Sequence, residues 1–258
     1  FMASSDKVLI RFVGRGGLKL DHALEAFGLD VAGVRALDAG ASTGGFTDCL
    51  LQRGAAHVVA VDVGHGQLHE RLRADARVTN LERTNVRSLT SEAIGGPVDI
   101  VVGDLSFISL RLVIDPLRSV CHPGAPMVLL VKPQFEAGRS EVSRGRGVIT
   151  DPAVWDRVHG EIETAVAEAG CNVVGWTDSP ITGADGNREP VDLRKAQGKD
   201  SQQLLDRRKE ALRMLRSRLP SSDDALELAF RDDGDASMGT RRVHGENSHR
   251  FRHLIGAP

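Results

Sequence analysis

Leu37-Asp38-Ala39-Gly40-Ala41-Ser42-Thr43-Gly44-Gly45-Phe46-Thr47-Asp48-Cys49-Leu50-Leu51 holds a strand end, a turn of small residues and a helix start, in that order. The approach from Val34 reads as a strand, with Asp38 at its carboxyl end. Most of the residues just beyond are Gly or Ala, so the chain turns sharply with no side chain in the way. Ser42 and Thr43 are placed to cap the helix that follows. Such a turn forms the switch-point crevice of a doubly wound α/β sheet, where backbone N–H groups reach a nucleotide-like ligand.

What the turn lacks narrows that ligand. There is no Gly-Lys-Ser/Thr ending, which excludes a phosphate-binding loop. Gly40-Ala41-Ser42-Thr43-Gly44-Gly45 also lacks the second glycine of a dinucleotide fingerprint. An acid just before the turn suits a ligand with a cationic amino-acid part, such as S-adenosyl-L-methionine. The next strand, Val58-Val59-Ala60-Val61, ends in Asp62, the kind of acid that accepts hydrogen bonds from ribose hydroxyls. The pair favours S-adenosyl-L-methionine over a nicotinamide or a flavin. The bland alternative leaves Asp38 and Asp62 as solvated strand ends.

The whole chain has 258 residues, 41% of them hydrophobic, with 28 glycines and a net charge of −2. That fits one large domain, or a domain with an appendage. No apolar run approaches the roughly 18 residues of a membrane span, so the expectation is a cytoplasmic protein with no membrane partner. Cys49, Cys121 and Cys171 are odd in number and set in apolar surroundings; they read as reduced thiols, with no metal site expected. Without a global positive field, nucleic-acid binding would depend on local basic patches.

Strands are expected near 34–38, 57–62, 77–81, 98–103, 126–131 and 172–178, and helices near 45–53, 67–74, 110–120 and 151–169. Asp151-Pro152 marks the last helix start, a cap followed by Pro at the first helical position. Strands alternating with helices predict a mostly parallel sheet covered on both faces. Pro190-Val191-Asp192-Leu193-Arg194 reads as a weak strand at best, because Pro removes a ladder donor. The organisation read from the chain is a linker over 1–13, a catalytic domain over 14–196 and a helical or flexible extension over 197–258. In that extension, Ser201–Leu219 reads as a basic amphipathic helix and Ser222–Phe230 as a short acidic one.

Four charged residues fall at element ends near the crevice: Lys19, Asp104, Lys132 and Glu189. Asp104 and Lys132 close buried apolar strands, and ligands of open α/β sheets lie beyond those carboxyl ends. A lysine at such a place is unusual unless it is paired.

With these residues the chain resembles the TlyA family of ribosomal RNA 2′-O-methyltransferases, historically labelled hemolysins and related to the FtsJ-like methyltransferases. The resemblance is carried by Gly14-Arg15-Gly16-Gly17-Leu18-Lys19-Leu20, the Leu37–Leu51 stretch and Val61-Asp62-Val63-Gly64-His65-Gly66-Gln67-Leu68. It continues in Glu82-Arg83-Thr84-Asn85-Val86-Arg87, Asp104-Leu105-Ser106-Phe107-Ile108-Ser109-Leu110, Val131-Lys132-Pro133-Gln134-Phe135-Glu136 and Gly186-Asn187-Arg188-Glu189. It implies a class I, Rossmann-like S-adenosyl-L-methionine-dependent fold with a mostly parallel seven-stranded sheet. It also implies methylation of a cytidine ribose hydroxyl by a Lys19–Asp104–Lys132–Glu189 tetrad, with ribosomal RNA or ribosomal subunits as partner.

The chemistry agrees with that implication. A ribose hydroxyl is a poor nucleophile until a base takes its proton, and a lysine serves as a base when burial and a second ammonium favour its neutral form. Lys132 is the candidate base and Lys19 the neighbouring cation; Asp104 orients the amine and borders the transferring methyl, while Glu189 balances the charge. For the cofactor, the resemblance suggests contacts from Gly40, Ser42, Thr43, Gly44, Gly45 and Phe46, with Asp62 and Val63 at the ribose and Asn85 with Val86 at the adenine.

Arg11, Arg15, Arg139, Arg144, Arg146 and Arg188 lie in expected loops along the same edge and are candidate RNA contacts. With 8 Phe, 2 Trp and no Tyr, the composition argues against a base-stacking platform and for recognition by shape and backbone. Family members usually carry an S4-like RNA-binding domain before the arginine-glycine-glycine motif, whereas only a short segment precedes it here: either the module has been trimmed from this sequence or the protein never had it. The same tetrad could instead methylate a small hydroxylated metabolite. A membrane-active protein, as the hemolysin label suggests, would need a strong apolar face.

Overall fold

The structure, a computed structural model, describes residues 11–145, 148–183 and 190–196. The chain enters through Phe12, which is buried although it falls in the stretch read as a linker. Helix α1 spans Gly16–Ala26, and a Cβ on Gly17 would meet the Phe12 ring, so the entry segment lies directly against this helix. Strand β1 (Arg35–Ala39), α2 (Gly45–Gln52), β2 (His57–Val61), α3 (Glu70–Arg73) and β3 (Val78–Leu81) follow. Then come β4 (Ile100–Gly103), α4 (Ile114–Ser119), β5 (Pro126–Leu130), α5 (Pro133–Glu136), α6 (Arg139–Arg144), α7 (Pro152–Glu168), β6 (Cys171–Asp178) and β7 (Pro190–Ala196).

These strands form one seven-stranded sheet in the order β3-β2-β1-β4-β5-β7-β6. The first five are parallel, while β7 runs antiparallel to both β5 and β6. The sheet grows from β1 in one direction through β2 and β3 and in the other through β4 and β5. The crevice at which ligands bind in this class of sheet therefore opens between the carboxyl ends of β1 and β4.

Side chains alternate across the sheet with a period of two. Ala36, Val58, Ile100, Val102 and Val128 join Leu20, Leu24 and Leu50 of α1 and α2 in one apolar layer. Leu37, Val59, Val101, Met127 and Leu129 join Leu117 of α4 and Ile162 of α7 in the other. Covering both faces explains why the central strands are nearly continuous apolar runs.

Several boundaries differ from the sequence reading. The expected helix over 110–120 is a 3-10 turn, Leu110–Leu112, followed by the short α4. Pro116 lies inside α4 and its missing N–H limits how far the ladder can extend. The start at Asp151-Pro152 is as read: Asp151 Oδ1 accepts the Ala153 amide at 2.9 Å.

The weak strand is the main correction. Residues 190–196 form a full strand inside the sheet, paired on both sides. Pro190 is its first residue, where a missing donor is tolerated, and its carbonyl accepts the Val131 amide at 2.8 Å. Two ladders supply what the apolar pattern lacks. Residues 197–258, with both helices read there, lie outside the described residues.

Candidate active site

The glycine turn is built by backbone geometry that only small residues allow. Gly40 (φ +83°) and Gly44 (φ +96°) both adopt left-handed conformations. A Cβ on Gly40 would lie 3.1 Å from the Asp104 carbonyl oxygen, so the turn after β1 backs directly onto the end of β4. Ser42 takes a positive φ of 46° and does not cap α2; Gly44 is the N-cap, with no side-chain cap.

Four of the turn's amides have partners within the protein. Gly40 N and Ala41 N donate to Val61 O at 2.8 and 3.1 Å, Gly44 N to Ala41 O at 2.7 Å, and Ser42 N to Asp62 Oδ2 at 2.8 Å. Two acids, Asp38 and Asp62, border the turn. This favours a cationic ligand over a phosphate.

Asp38 is the acid the turn encloses. It is fully buried; Thr47 Oγ1 donates to its Oδ2 at 2.6 Å, while Oδ1 has no hydrogen-bond partner. Burial pushes its pKa up to about 7, opposed by the Thr47 hydrogen bonds and reinforced by the charges of Asp104 and Asp62. A buried carboxylate oxygen left without a donor is costly, and an ammonium group from a ligand would satisfy it. Asp62, just beyond β2, accepts Ser42 N and, through Oδ1, Gly64 N at 2.7 Å. Each oxygen keeps acceptor capacity for a ribose hydroxyl.

Other residues expected around the cofactor divide by exposure. Val63 is exposed beside Asp62. Asn85 Oδ1 caps the 3-10 turn Val86–Ser88 by accepting Arg87 N at 3.0 Å, and Val86 is buried. Phe46 is buried with its ring beside Gly16, where a Cβ would lie 3.4 Å from the ring and 3.6 Å from Asp104 Oδ2.

Across the turn stands a charged cluster. Lys132 Nζ lies 2.7 Å from Asp104 Oδ1 and Lys19 Nζ lies 3.8 Å from Asp104 Oδ2. The contact with Oδ1 is a close ion pair whose angle falls outside hydrogen-bond geometry. Lys132 Nζ donates a hydrogen bond to Ser106 Oγ at 2.7 Å. The lysine side chains are only 9% and 11% exposed, so the fold holds two ammonium groups around one carboxylate with little water. Glu189, the expected fourth member, lies outside the described residues.

Beside Lys132 the structure reveals an aromatic pair that sequence reasoning missed. Phe107 is 91% exposed with a φ of +63°, and its ring centroid lies 5.1 Å from that of Phe135. A bulky residue in the left-handed region stores strain, which tends to mark functional loops. A count of aromatics could not reveal this, because what matters is that two of them meet at the mouth of the site. The same loop is tied down by Glu136, whose buried carboxylate accepts Ser109 Oγ at 2.5 Å and Leu110 N at 2.7 Å.

Four of the six arginines expected to face RNA fall among the described residues. Arg11 is committed to Asp21 at 2.6 Å, and Arg15 is exposed just before α1. Arg139 and Arg144 lie on α6 rather than in a loop, and Arg146 and Arg188 fall outside the described residues. Among the described residues no cluster of His, Cys, Asp and Glu could hold a metal ion, and no helix is long and apolar enough to cross a membrane.

Comparison with known proteins bears on this arrangement. The model of one family, FtsJ-like methyltransferase, matches residues 12–195. The Mycobacterium tuberculosis 16S/23S rRNA (cytidine-2′-O)-methyltransferase TlyA is 56% identical over 178 residues, 69% of this chain and 66% of that protein. YqxC of Bacillus subtilis, provisionally named an rRNA methyltransferase, is 47% identical over 181 residues, 70% of this chain and 64% of its own. The chain thus spans just under two thirds of the length of these relatives. A crystal structure from Lactococcus lactis, provisionally described as a hemolysin, superposes with a TM-score of 0.70 at 39% identity, covering 77% of this chain and 99% of that one.

Proposed function

The chain belongs to the FtsJ-like methyltransferase family, and from that premise we propose that it transfers a methyl group from S-adenosyl-L-methionine to the 2′-hydroxyl of a cytidine in ribosomal RNA. The observation that carries the proposal is the contact between two sites: the turn that encloses Asp38 abuts Asp104, the carboxylate shared by Lys19 and Lys132. One half can seat the donor while the other meets the acceptor.

Asp38 Oδ1 would take the amino-acid ammonium of the cofactor and Asp62 its ribose hydroxyls. When bound, S-adenosyl-L-methionine supplies a methyl group made electrophilic by the sulfonium. Lys132, as its neutral amine, accepts the proton of the ribose hydroxyl as that oxygen takes the methyl. Asp104 stabilises the ammonium that results, with Lys19 as the neighbouring cation on its other oxygen. Glu189 is proposed as the second carboxylate, bringing two acids to two amines.

Phe107 and Phe135 would stack on a base swung out of the RNA, presenting its ribose to Lys132. A stacking surface in the open is of most use to a polymeric substrate, which favours RNA over a small metabolite. Arg15, Arg139, Arg144, Arg146 and Arg188 are proposed to hold the backbone, with ribosomal subunits as the physiological partner.

The test is methyl transfer from labelled S-adenosyl-L-methionine by the full chain to intact ribosomal subunits, followed by nuclease digestion. Label in 2′-O-methylcytidine is expected. Label only in small hydroxylated compounds would replace the RNA reading with the metabolite one.

A further inference from the structure

We propose that Ser106 is a positioning residue for Lys132: its hydroxyl, together with Asp104, fixes the amine so that the lone pair faces the substrate hydroxyl. The inference rests on the reading of Lys132 as the base. An ammonium nitrogen has three N–H directions in a tetrahedral arrangement. One contact, to Asp104, would leave the amine free to swivel about that line. The second, to Ser106 Oγ at 2.7 Å, comes from another residue and removes the rotation. Among the described residues no third acceptor meets Nζ, so one tetrahedral position remains.

In the neutral amine one N–H bond points to Ser106, Asp104 lies in close contact on a second side, and the lone pair is turned toward the substrate hydroxyl. When the substrate O–H bond breaks, the new N–H bond forms in that direction and the two anchors stay as they were. Ser106 neither gains nor loses a proton. A hydroxyl suits this place because it accepts a hydrogen bond without adding negative charge. A carboxylate there would hold the lysine in its ammonium form.

The position is built by the fold. Ser106 follows Asp104 by two residues, and the loop they share is pinned at its far end by Glu136 through Ser109 Oγ and Leu110 N. Glu136 closes the helix that begins directly after Lys132, so the base and its hydroxyl anchor hang from the same buried carboxylate.

Ser106→Ala and Ser106→Thr in the full chain test the proposal. Ser106→Ala is expected to lower kcat about tenfold or more, the effect of one hydrogen bond to a charged group, with KM, cofactor affinity and Tm unchanged. Ser106→Thr, which keeps a hydroxyl, restores most of it. A second readout needs no turnover: slow labelling of Lys132 by trinitrobenzenesulfonate, followed by peptide mapping. That protection is lost in Ser106→Ala and regained in Ser106→Thr. Wild-type kcat in Ser106→Ala, unaltered labelling, or a Thr variant no better than Ala would each overturn the role. If the wild-type chain transfers no methyl group at all, the functional reading fails, while the labelling still decides whether Ser106 anchors the amine.

Discussion

Asp38 and Asp104 stand at the carboxyl ends of neighbouring strands, back to back across the glycine turn, yet their surroundings are opposite. Asp38 is fully buried with a threonine as partner and, among the described residues, no cation paired with it, and its pKa is pushed up to about 7. Asp104 is held between two lysines. In the proposed function the sealed acid takes the positive charge of the cofactor, whereas the paired one, which already has its cations, steadies the ammonium formed at Lys132. On that proposal one residue type serves binding on one strand and chemistry on the next, and the environment decides which.

The strongest way to break this division is Lys132→Ala. A drop in kcat of about 10²- to 10⁴-fold is expected, with cofactor affinity by calorimetry within about twofold of wild type. Large loss of cofactor binding would mean that the two halves are not separate.

Asp38→Asn probes the other side. Cofactor affinity should fall about tenfold or more at pH 8. In the wild type affinity should rise as pH increases through about 7, where Asp38 becomes charged, and that dependence should vanish in the variant. Stability should move the opposite way. The folded protein keeps this acid neutral up to about pH 7, while an unfolded chain loses the proton near pH 3.9. The stability contributed is therefore complete below the unfolded pKa and is lost as pH rises through the folded one. Asp38→Asn should unfold later than wild type at about pH 8 by on the order of 2–4 kcal/mol, with the gap closing toward about pH 4.

Phe107→Ala sharpens the chemical half by asking whether it reads RNA. Loss of one stacked base contact, worth about 1–3 kcal/mol, should raise the KM for ribosomal substrate by roughly tenfold, while urea unfolding stays unchanged because the ring is exposed. Arg11→Ala is expected to do least. Its ion pair with Asp21 is half exposed and should contribute about 0.2–1 kcal/mol to unfolding free energy. A fall in RNA methylation beyond that would return Arg11 to the nucleic-acid surface.

The parallel half of the sheet was legible because its central strands include runs such as Val58–Val61 and Met127–Val131, apolar on both faces. Strand β7 was not, since its membership comes from two hydrogen-bonded neighbours rather than from its own composition. Lys19, Asp104 and Lys132 could be read as strand-end or helix-start charges, and the structure brings them together. Ser106, Phe107 and Glu136 could not, because their meeting depends on the path of one loop through a left-handed Phe107, which no periodicity announces. The glycines marked the crevice, but the bonds of the Gly40, Ala41, Ser42 and Gly44 amides to Val61, Ala41 and Asp62 depend on how the turn folds back on β2 and were not legible.

The insertion of β7 between β5 and β6 has a consequence for synthesis on the ribosome. The nascent chain delivers β1 to β5 in an order that lets them pair as they emerge, but β6 leaves the exit tunnel with no neighbour to join. Until residues 190–196 appear, β5 and β6 each present an open edge to other chains. Glu189 is joined directly to that closing strand, so the acid proposed to complete the tetrad arrives only as the sheet is sealed, and a half-made protein would lack both its last edge and its last charge.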